Sequence, residues 1–371
     1  MRQDGASIVT AERSMTPSRI IVSPAAWYGG KLAHTDDWQC RLSSAQRAEV
    51  SAALAHLKAT GRAPLETGRP DFPLPTVGPL LHDLLESVEA GRGFLLLRNL
   101  PTEGLSEPDV KLLFWGLGAH LGVAAPQSEA AELIGDVRDI GHESTITGRG
   151  YRSNDAINFH VDLTDLVLLL CRRTAKVGGQ SRLSSAVTVH NEIARRRPDL
   201  LEELYRPLPF KKLAWDAAER RWFPLPVFAV SDGHFASRFS LSHIKDTARI
   251  EGAPPLTARQ HEAIEMIEAI AGEPGIYLDM AFEPGDLQFV INRLIYHART
   301  DFEDHPELDR KRHVLRMWLA TPNSRPLPAS WRESYGSIEP GAVRGGVAAW
   351  RFPNHYADYQ RRAAADLGMR L

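Results

Sequence analysis

The chain reads as an α+β protein with a mainly β core of jelly-roll type, flanking helices and an N-terminal helical extension. Three observations carry that reading. From Ile134 onward, short apolar runs alternate with Gly, Asn, Asp and Pro: Ile134–Val137, Leu166–Cys171, Pro226–Val230, Ile276–Leu278, Leu287–Ile291 and Val314–Leu319. Before Ile134 the apolar residues fall mostly at helical spacing. The length of 371 residues, with 43% hydrophobic and 24% charged content, suits one large domain with insertions, or two domains, around a sizeable core.

The elements follow in order. Residues 1–20 mix Arg2, Arg13 and Arg19 with Asp4 and Glu12 and lack the apolar stretch of a secretory signal, so a disordered tail is expected, with Met15 as an alternative start. Residues 21–90 form the helical extension. Leu42 to Lys58 is its first helix, opened by a Ser43/Gln46 capping box, with Val50, Ala53, Leu54 and Leu57 on one face. A Pro/Gly-rich connection runs from Gly61 to Pro79. Leu80, Leu81, Leu84, Leu85 and Val88 mark a second helix ended by Gly91. Residues 91–331 are read as the β domain. Phe94–Leu97 is a buried strand, Asp109–Leu121 a helix, and two further helices, Val187–Tyr205 and Thr257–Ala271, interrupt the strands; a Thr257/Gln260 capping box opens the second. Residues 332–371 are a C-terminal extension, Gly/Arg-rich and then helical.

Composition narrows the function. A formal net charge of -2 and a pI near 6.7 give no electrostatic reason to expect nucleic acid or an anionic membrane as partner. The longest apolar run, Leu166–Cys171, is of strand length, so no membrane span is expected. Cys40 and Cys171 are the only cysteines and form no CxxC, which argues against a disulfide framework or thiolate zinc site and for a reducing, cytoplasmic setting. A small molecule is the expected partner, and a homo-oligomer stays compatible with the sequence.

With 14 histidines, roughly one or two His-x-acid pairs are expected by chance. The chain has four: His34/Asp36, His160/Asp162, His190/Glu192 and His305/Glu307. The first has no apolar strand beside it. His190 and Glu192 fall in a helical pattern, where positions i and i+2 point about 200° apart. His305 and Glu307 lie in a charged loop. His160-Val161-Asp162 follows Ile157-Asn158-Phe159 and precedes the strand from Leu166; in extended backbone its imidazole and carboxylate share a face. With His297 they make two imidazoles and one carboxylate, the ligand set that holds Fe(II) by one face and leaves positions open. A hydrogen-bonded core histidine is the competing reading of His160. Downstream, period 2 places Arg312, Val314, Arg316 and Trp318 on one face of a strand. Two arginines on an otherwise apolar face are costly to bury without an anion, either the acidic loop at Glu303, Asp304 and Asp309 or a small-molecule carboxylate.

These residues resemble the Fe(II)/2-oxoglutarate-dependent oxygenases of the taurine dioxygenase-like branch, which includes clavaminate synthase-like proteins. The resemblance runs from about Gly91 to Pro322. It rests on Gly93–Arg98, the His160/Asp162 pair, Gly178–Ser185, Gly285–Asn292, His297-Ala298-Arg299 and Arg312–Arg316, in that order. It implies a double-stranded β-helix in which His160, Asp162 and His297 ligate Fe(II), with 2-oxoglutarate and O2 as co-substrates. Arg316 would clamp the distal carboxylate of 2-oxoglutarate, Ser181 would stand where the family often has a supporting threonine, and Arg312 would be an accessory cation. Phe159 replaces the Trp that taurine enzymes often carry, which argues against taurine as substrate. The implied reaction is oxidation, by default hydroxylation, of a small molecule with release of succinate and CO2. Arg152, Asn154, Asn158 and Arg299 suit an anionic or zwitterionic substrate, although Arg299 could instead hold the loop through Asp301 or Glu303. A metal-independent binding protein on the same fold and a zinc hydrolase are the alternatives.

Overall fold

The structure, a computed structural model, describes residues 20–128, 130–141, 153–213, 220–347 and 354–371. Two sheets build the core. The larger has seven strands: Gln39–Arg41, Phe94–Arg98, Leu287–Ile291, Leu166–Arg173, His313–Ala320 and Val123–Ala125 lie in that order, and Ile134–Val137 also pairs with His313–Ala320. The smaller has four, in the order Leu278–Met280, Ser181–Ser185, Ile295–Arg299 and Ile157–His160. This is the jelly-roll arrangement expected from the alternating short runs.

Continuous apolar strands, rather than alternating ones, make the centre of the larger sheet because both of its faces are covered. Every residue of His313–Ala320 is buried. One face carries Arg316 and Trp318 toward the smaller sheet. The other carries Met317 against the helix Glu107–Ala119, where a Cβ on Gly118 would lie 2.5 Å from the Met317 sulfur.

Local signals worked where they are chemical. Ser43 and Gln46 cap the helix Ser44–Thr60 reciprocally, and Thr257 and Gln260 do the same for Ala258–Ala271. The expected single helix Val187–Tyr205 is two, Ala186–Arg196 and Pro198–Leu204, since a proline disfavours helical backbone in Arg197 before it. The segment read as a helical extension also donates a strand, Gln39–Arg41, paired in parallel with Phe94–Arg98. The C-terminal helix Asn354–Leu367 is present as expected. Ahead of it, Arg344 reaches the core, where its Nε donates to Asp165 Oδ1 at 2.8 Å. Tyr356 and Tyr359 bond the backbone of Ala124. One hydrophobic cluster runs from Ala25 to Met369. Cys40 and Cys171 are both free thiols, and among the described residues no helix is long and apolar enough to cross a membrane. The expected tail at residues 1–20 falls, but for Ile20, outside the described residues.

Candidate metal centre and co-substrate cleft

His160 and His297 come from neighbouring strands of the smaller sheet and stand directly opposite each other in register. Their rings are 4.3 Å apart between centroids. The strand ends at His160, and Asp162 lies in the turn just beyond it, where its backbone N–H donates to Asn292 Oδ1 at 3.1 Å. The Asp162 carboxylate is 3.9 Å from His160 Nε2 and 3.6 Å from His297 Nε2. One ligand atom from each of the three lies within 4.8 Å of the others.

The residues fit a metal. His297 is 6% exposed, yet neither ring nitrogen hydrogen-bonds anything among the described residues. His160 Nδ1 lies 2.8 Å from the Asn158 carbonyl oxygen. A carbonyl only accepts, so Nδ1 carries the proton and Nε2 keeps its lone pair for the ion. Burial, and then His297 beside it, push the His160 imidazole down to about 3, so it stands neutral. Burial would raise Asp162, but Arg316 and the two imidazoles outweigh it and hold the carboxyl well below its ordinary range. Both effects keep the ligands in their metal-binding protonation states.

Asp162 is anchored by more than the histidines. Trp318 Nε1 donates to its Oδ2 at 2.8 Å, and Arg316 Nη1 lies 3.3 Å from the same oxygen. Arg316 is in turn fixed by Gln127, whose Oε1 accepts from Nε at 2.7 Å and whose Nε2 donates to the Arg316 carbonyl at 2.9 Å. The sequence reading missed Gln127 and the ligand-holding part of Trp318. Gln127 lies 189 positions from Arg316 and outside every motif, so no local signal could have found it.

A cleft opens from the candidate metal ligands between the sheets, lined by His160, His297, Ser181, Arg299, Arg312 and Arg316 among others. Arg312, as expected, shares the cleft face of its strand with Arg316. It is 4% exposed, and its guanidinium has only long contacts, 3.4 Å to the Gly179 carbonyl and 3.5 Å to that of Val137. It also lies 5.2 Å from the Phe302 ring centroid. Gly179 permits this approach: its φ is +68°, and a Cβ there would lie 2.8 Å from Arg312 Nε. Ser181 exchanges hydrogen bonds with Gln288 at the same end of the cleft. The Arg312 side chain does not pair with the acidic loop; only its backbone N–H does, to Asp304 Oδ1 at 2.7 Å.

Arg299 does hold a loop, though by carbonyls rather than by Asp301 or Glu303. Its Nη2 donates to the carbonyls of Ser153, at 2.8 Å, and Asp155. Its Nε and Nη1 are buried and hydrogen-bond nothing among the described residues. Burial, and then the charge of Arg312, push the Arg299 guanidinium down to about 10. Two cations thus face one space; Asp304 acts on both, yet among the described residues no carboxylate hydrogen-bonds either guanidinium, an arrangement that an anion would relieve.

The expected substrate face is corrected in part. Asn154 and Asn158 are exposed and neither lines the cleft. The register between the last two strands shifts between His297 and Arg299, a bulge that turns Ile157 and His160 inward and leaves Asn158 outside. Arg152 lies outside the described residues. Of the rejected pairs, His190 is a buried helix residue bonded to Tyr205 Oη at 2.9 Å. A second group of candidate ligands, Glu107, Asp136 and His313, lies on the outer face, but Lys111, Arg138 and Arg172 already pair with its carboxylates.

Comparison with known proteins agrees with this geometry. Residues 56–318 match the sequence model of the "Taurine catabolism dioxygenase TauD, TfdA family". FR-33289 synthase of Streptomyces rubellomurinus is 28% identical over 317 residues, covering 84% of this chain and 93% of that protein. A uridine-5'-phosphate dioxygenase of a Streptomyces species is 25% identical over 251 residues, 63% of this chain and 87% of the relative. Among solved structures, asparagine oxygenase in complex with Fe(II), 3-hydroxyasparagine and succinate superposes with a TM-score of 0.60 at 19% identity, covering 82% of this chain and 99% of that one. Its likeness bears on the fold. The chain belongs to the TauD/TfdA family and is a non-heme iron dioxygenase that uses 2-oxoglutarate to hydroxylate a small molecule.

Proposed function

We propose that the substrate is a small anionic or zwitterionic molecule, and that the cleft divides its arginines between co-substrate and metal ligand. The observation that carries the proposal is the pair of uncommitted, buried N–H groups of Arg299 facing the same cleft as Arg312. Among the described residues no carboxylate hydrogen-bonds either guanidinium at this end of the cleft, although Asp304 lies within electrostatic reach of both. The likeness to a uridine-5'-phosphate dioxygenase supports an anionic substrate, a phosphate ester being one form it can take.

In this reading His160, Asp162 and His297 hold Fe(II). The bound iron supplies oxygen activation coupled to decarboxylation of 2-oxoglutarate. The residues of the chain do the rest. Arg312, with the Ser181 hydroxyl, takes the distal carboxylate of 2-oxoglutarate, a role the resemblance assigns to Arg316. The reassignment is supported by what each guanidinium is doing: Arg316 is engaged with Asp162 and Gln127, while Arg312 has only two long carbonyl contacts. Arg316 and Trp318 keep Asp162 ionised and aimed at the metal. Arg299 ties down the loop at Ser153 and Asp155 and turns its remaining donors toward the anion. The rest of the lining is apolar: Val137, Ile157, Leu169, Phe282 and Val314 complete walls that exclude water. A cytoplasmic location is part of the proposal, supported by the two free thiols.

The test is a panel of small amino acids, carboxylates and phosphate esters, scored by succinate release above the background without substrate. An anionic or zwitterionic compound should raise succinate release. If only neutral or cationic compounds do so, the substrate proposal is wrong. His160→Ala and Asp162→Ala should abolish both succinate release and the anaerobic iron(II)–2-oxoglutarate charge-transfer band.

A further inference from the structure

Arg238 lies outside that cleft and is used by none of the steps above. It is 4% exposed, and its Nε and Nη1 are buried without a hydrogen-bond partner among the described residues. Its guanidinium lies 5.9 Å from the Phe210 ring centroid and 5.6 Å from that of Tyr335, and it also hydrogen-bonds the Tyr335 side chain, so the idle donors are Nε and Nη1 alone. Ring faces recover part of the lost hydration of a cation but accept no conventional hydrogen bond. A buried guanidinium with two idle donors is therefore incomplete.

Its place in the chain ties it to the metal. Ser240 forms a β-bridge with His160, and Val161 N–H donates to the Phe239 carbonyl at 2.9 Å. Both contacts keep one antiparallel register, which sets Arg238 across from Asp162 and on the ladder face of His160. His243, half-buried, feels the charges of Arg238, Lys211, Asp246 and Asp162 together, so these groups share one neighbourhood. The carboxylates acting there are already engaged. Asp246 pairs with Lys211 at 3.1 Å, Asp162 with Arg316 and Trp318, and Asp165 with Arg344 at 2.8 Å. Among the described residues none of these carboxylates hydrogen-bonds Arg238.

We propose that Arg238 receives an oxyanion of the primary substrate, a carboxylate or a phosphate-type group, on a subsite separate from the one formed by Arg299 and Arg312. This rests on the reading of the metal centre above. It adds a direction: besides any anionic group that reaches Arg299, an oxyanion of the substrate is held beside the strand that carries His160. Arg238 is a specificity residue in this scheme, not a catalytic one.

The test uses the Fe(II)–2-oxoglutarate form under anaerobic conditions, with 2-oxoglutarate saturating so that the Arg312 end is filled. Sulfate, as the tetrahedral probe, and acetate, as the carboxylate probe, are titrated against the thermal midpoint, with chloride at matched ionic strength as control. At least one probe should raise the wild-type midpoint. Arg238→Met should weaken its binding at least tenfold, and Arg238→Lys, which keeps the charge but loses the planar fork, should fall between. A stronger response to sulfate or to acetate identifies the oxyanion. If the charge-transfer band never forms, the metal-centre reading itself has failed. If the band forms and neither probe acts beyond chloride, or the Lys variant binds as the wild type does, the Arg238 subsite is refuted. The Lys variant decides the matter even if the Met variant does not fold.

Discussion

Replacing Arg312 by Met separates the two arginines of the last core strand. Arg312 is buried and among the described residues its side chain hydrogen-bonds no carboxylate, so the substitution breaks no close ion pair, and Asp304 keeps its bond from the Arg312 backbone N–H. Met fills much of the same volume. The loss should therefore appear in ligand binding rather than in folding. If two charge-assisted hydrogen bonds to the distal carboxylate disappear, the cost is about 3 kcal/mol, or roughly a 100-fold rise in the 2-oxoglutarate dissociation constant. The assay is an anaerobic titration of the charge-transfer band. At saturation the band of Arg312→Met should match that of the wild type, because the metal ligands and the chelating end of 2-oxoglutarate are untouched. Arg316→Met is the comparator. It frees Asp162 from a contact of 3.3 Å and should alter the band itself, in position or intensity, even at saturation. The reasoning fails if Arg312→Met binds 2-oxoglutarate within threefold of the wild type while Arg316→Met accounts for the loss. That outcome would return the clamp to Arg316.

Three further outcomes follow from single contacts. Gly179→Ala adds a Cβ 2.8 Å from Arg312 Nε at a φ of +68°, so 2-oxoglutarate affinity should fall about tenfold with metal affinity unchanged, read by the same titration. Trp318→Phe removes the 2.8 Å donor to Asp162 and should lower metal affinity about tenfold, measured by Mn(II) titration; an unchanged affinity would assign Trp318 to packing alone. His190, 1% exposed, is pushed by burial from 6.5 down to about 4 in the folded state. Between those values the unfolded chain binds the extra proton, so this stability is complete above 6.5 and lost as pH falls toward 4, by up to about 3 kcal/mol. His190→Gln should flatten the decline of the thermal midpoint between pH 7 and 5, and an equally steep decline would contradict that assignment.

The cluster of His160, Asp162 and His297 was legible because its signal is local chemistry: a His-x-Asp beside apolar strands, then a histidine before an arginine-bearing strand. Helix caps were legible for the same reason. What stayed hidden depends on partners distant in sequence. The parallel pairing of Gln39–Arg41 with Phe94–Arg98 leaves no pattern in a three-residue strand. The bulge that turns Asn158 outward exists only between two strands, and alternation along one strand cannot show it. Period 2 correctly put Arg312 and Arg316 on one face, but their different engagements depend on Gln127 and Asp162 at one position and on the Gly179 and Val137 carbonyls at the other. Arg238 carries no motif at all. Its interest comes from two buried N–H groups that have no partner among the described residues, and from its register opposite Asp162.

The two ends of the cleft are prepared in opposite ways. Around the metal, protein groups already satisfy Asp162 and orient His160, so the ligands stand in place before an ion arrives. Such support limits the reorganisation that metal binding must overcome. At the other end, Arg299 and Arg312 repel one another, and among the described residues their guanidinium groups hydrogen-bond carbonyls and lie over a ring rather than pairing with a carboxylate. That end gains most from a ligand that brings negative charge. A site built this way makes co-substrate binding, rather than metal binding, the step that relieves electrostatic stress in the fold. It also explains why the cations are arginines: a guanidinium stays charged when buried, where a lysine would shed its proton and lose the attraction. Arg238 would then take a second anion, since a 2-oxoglutarate whose distal carboxylate were held by Arg312 would have none left for the Ser240 side of His160.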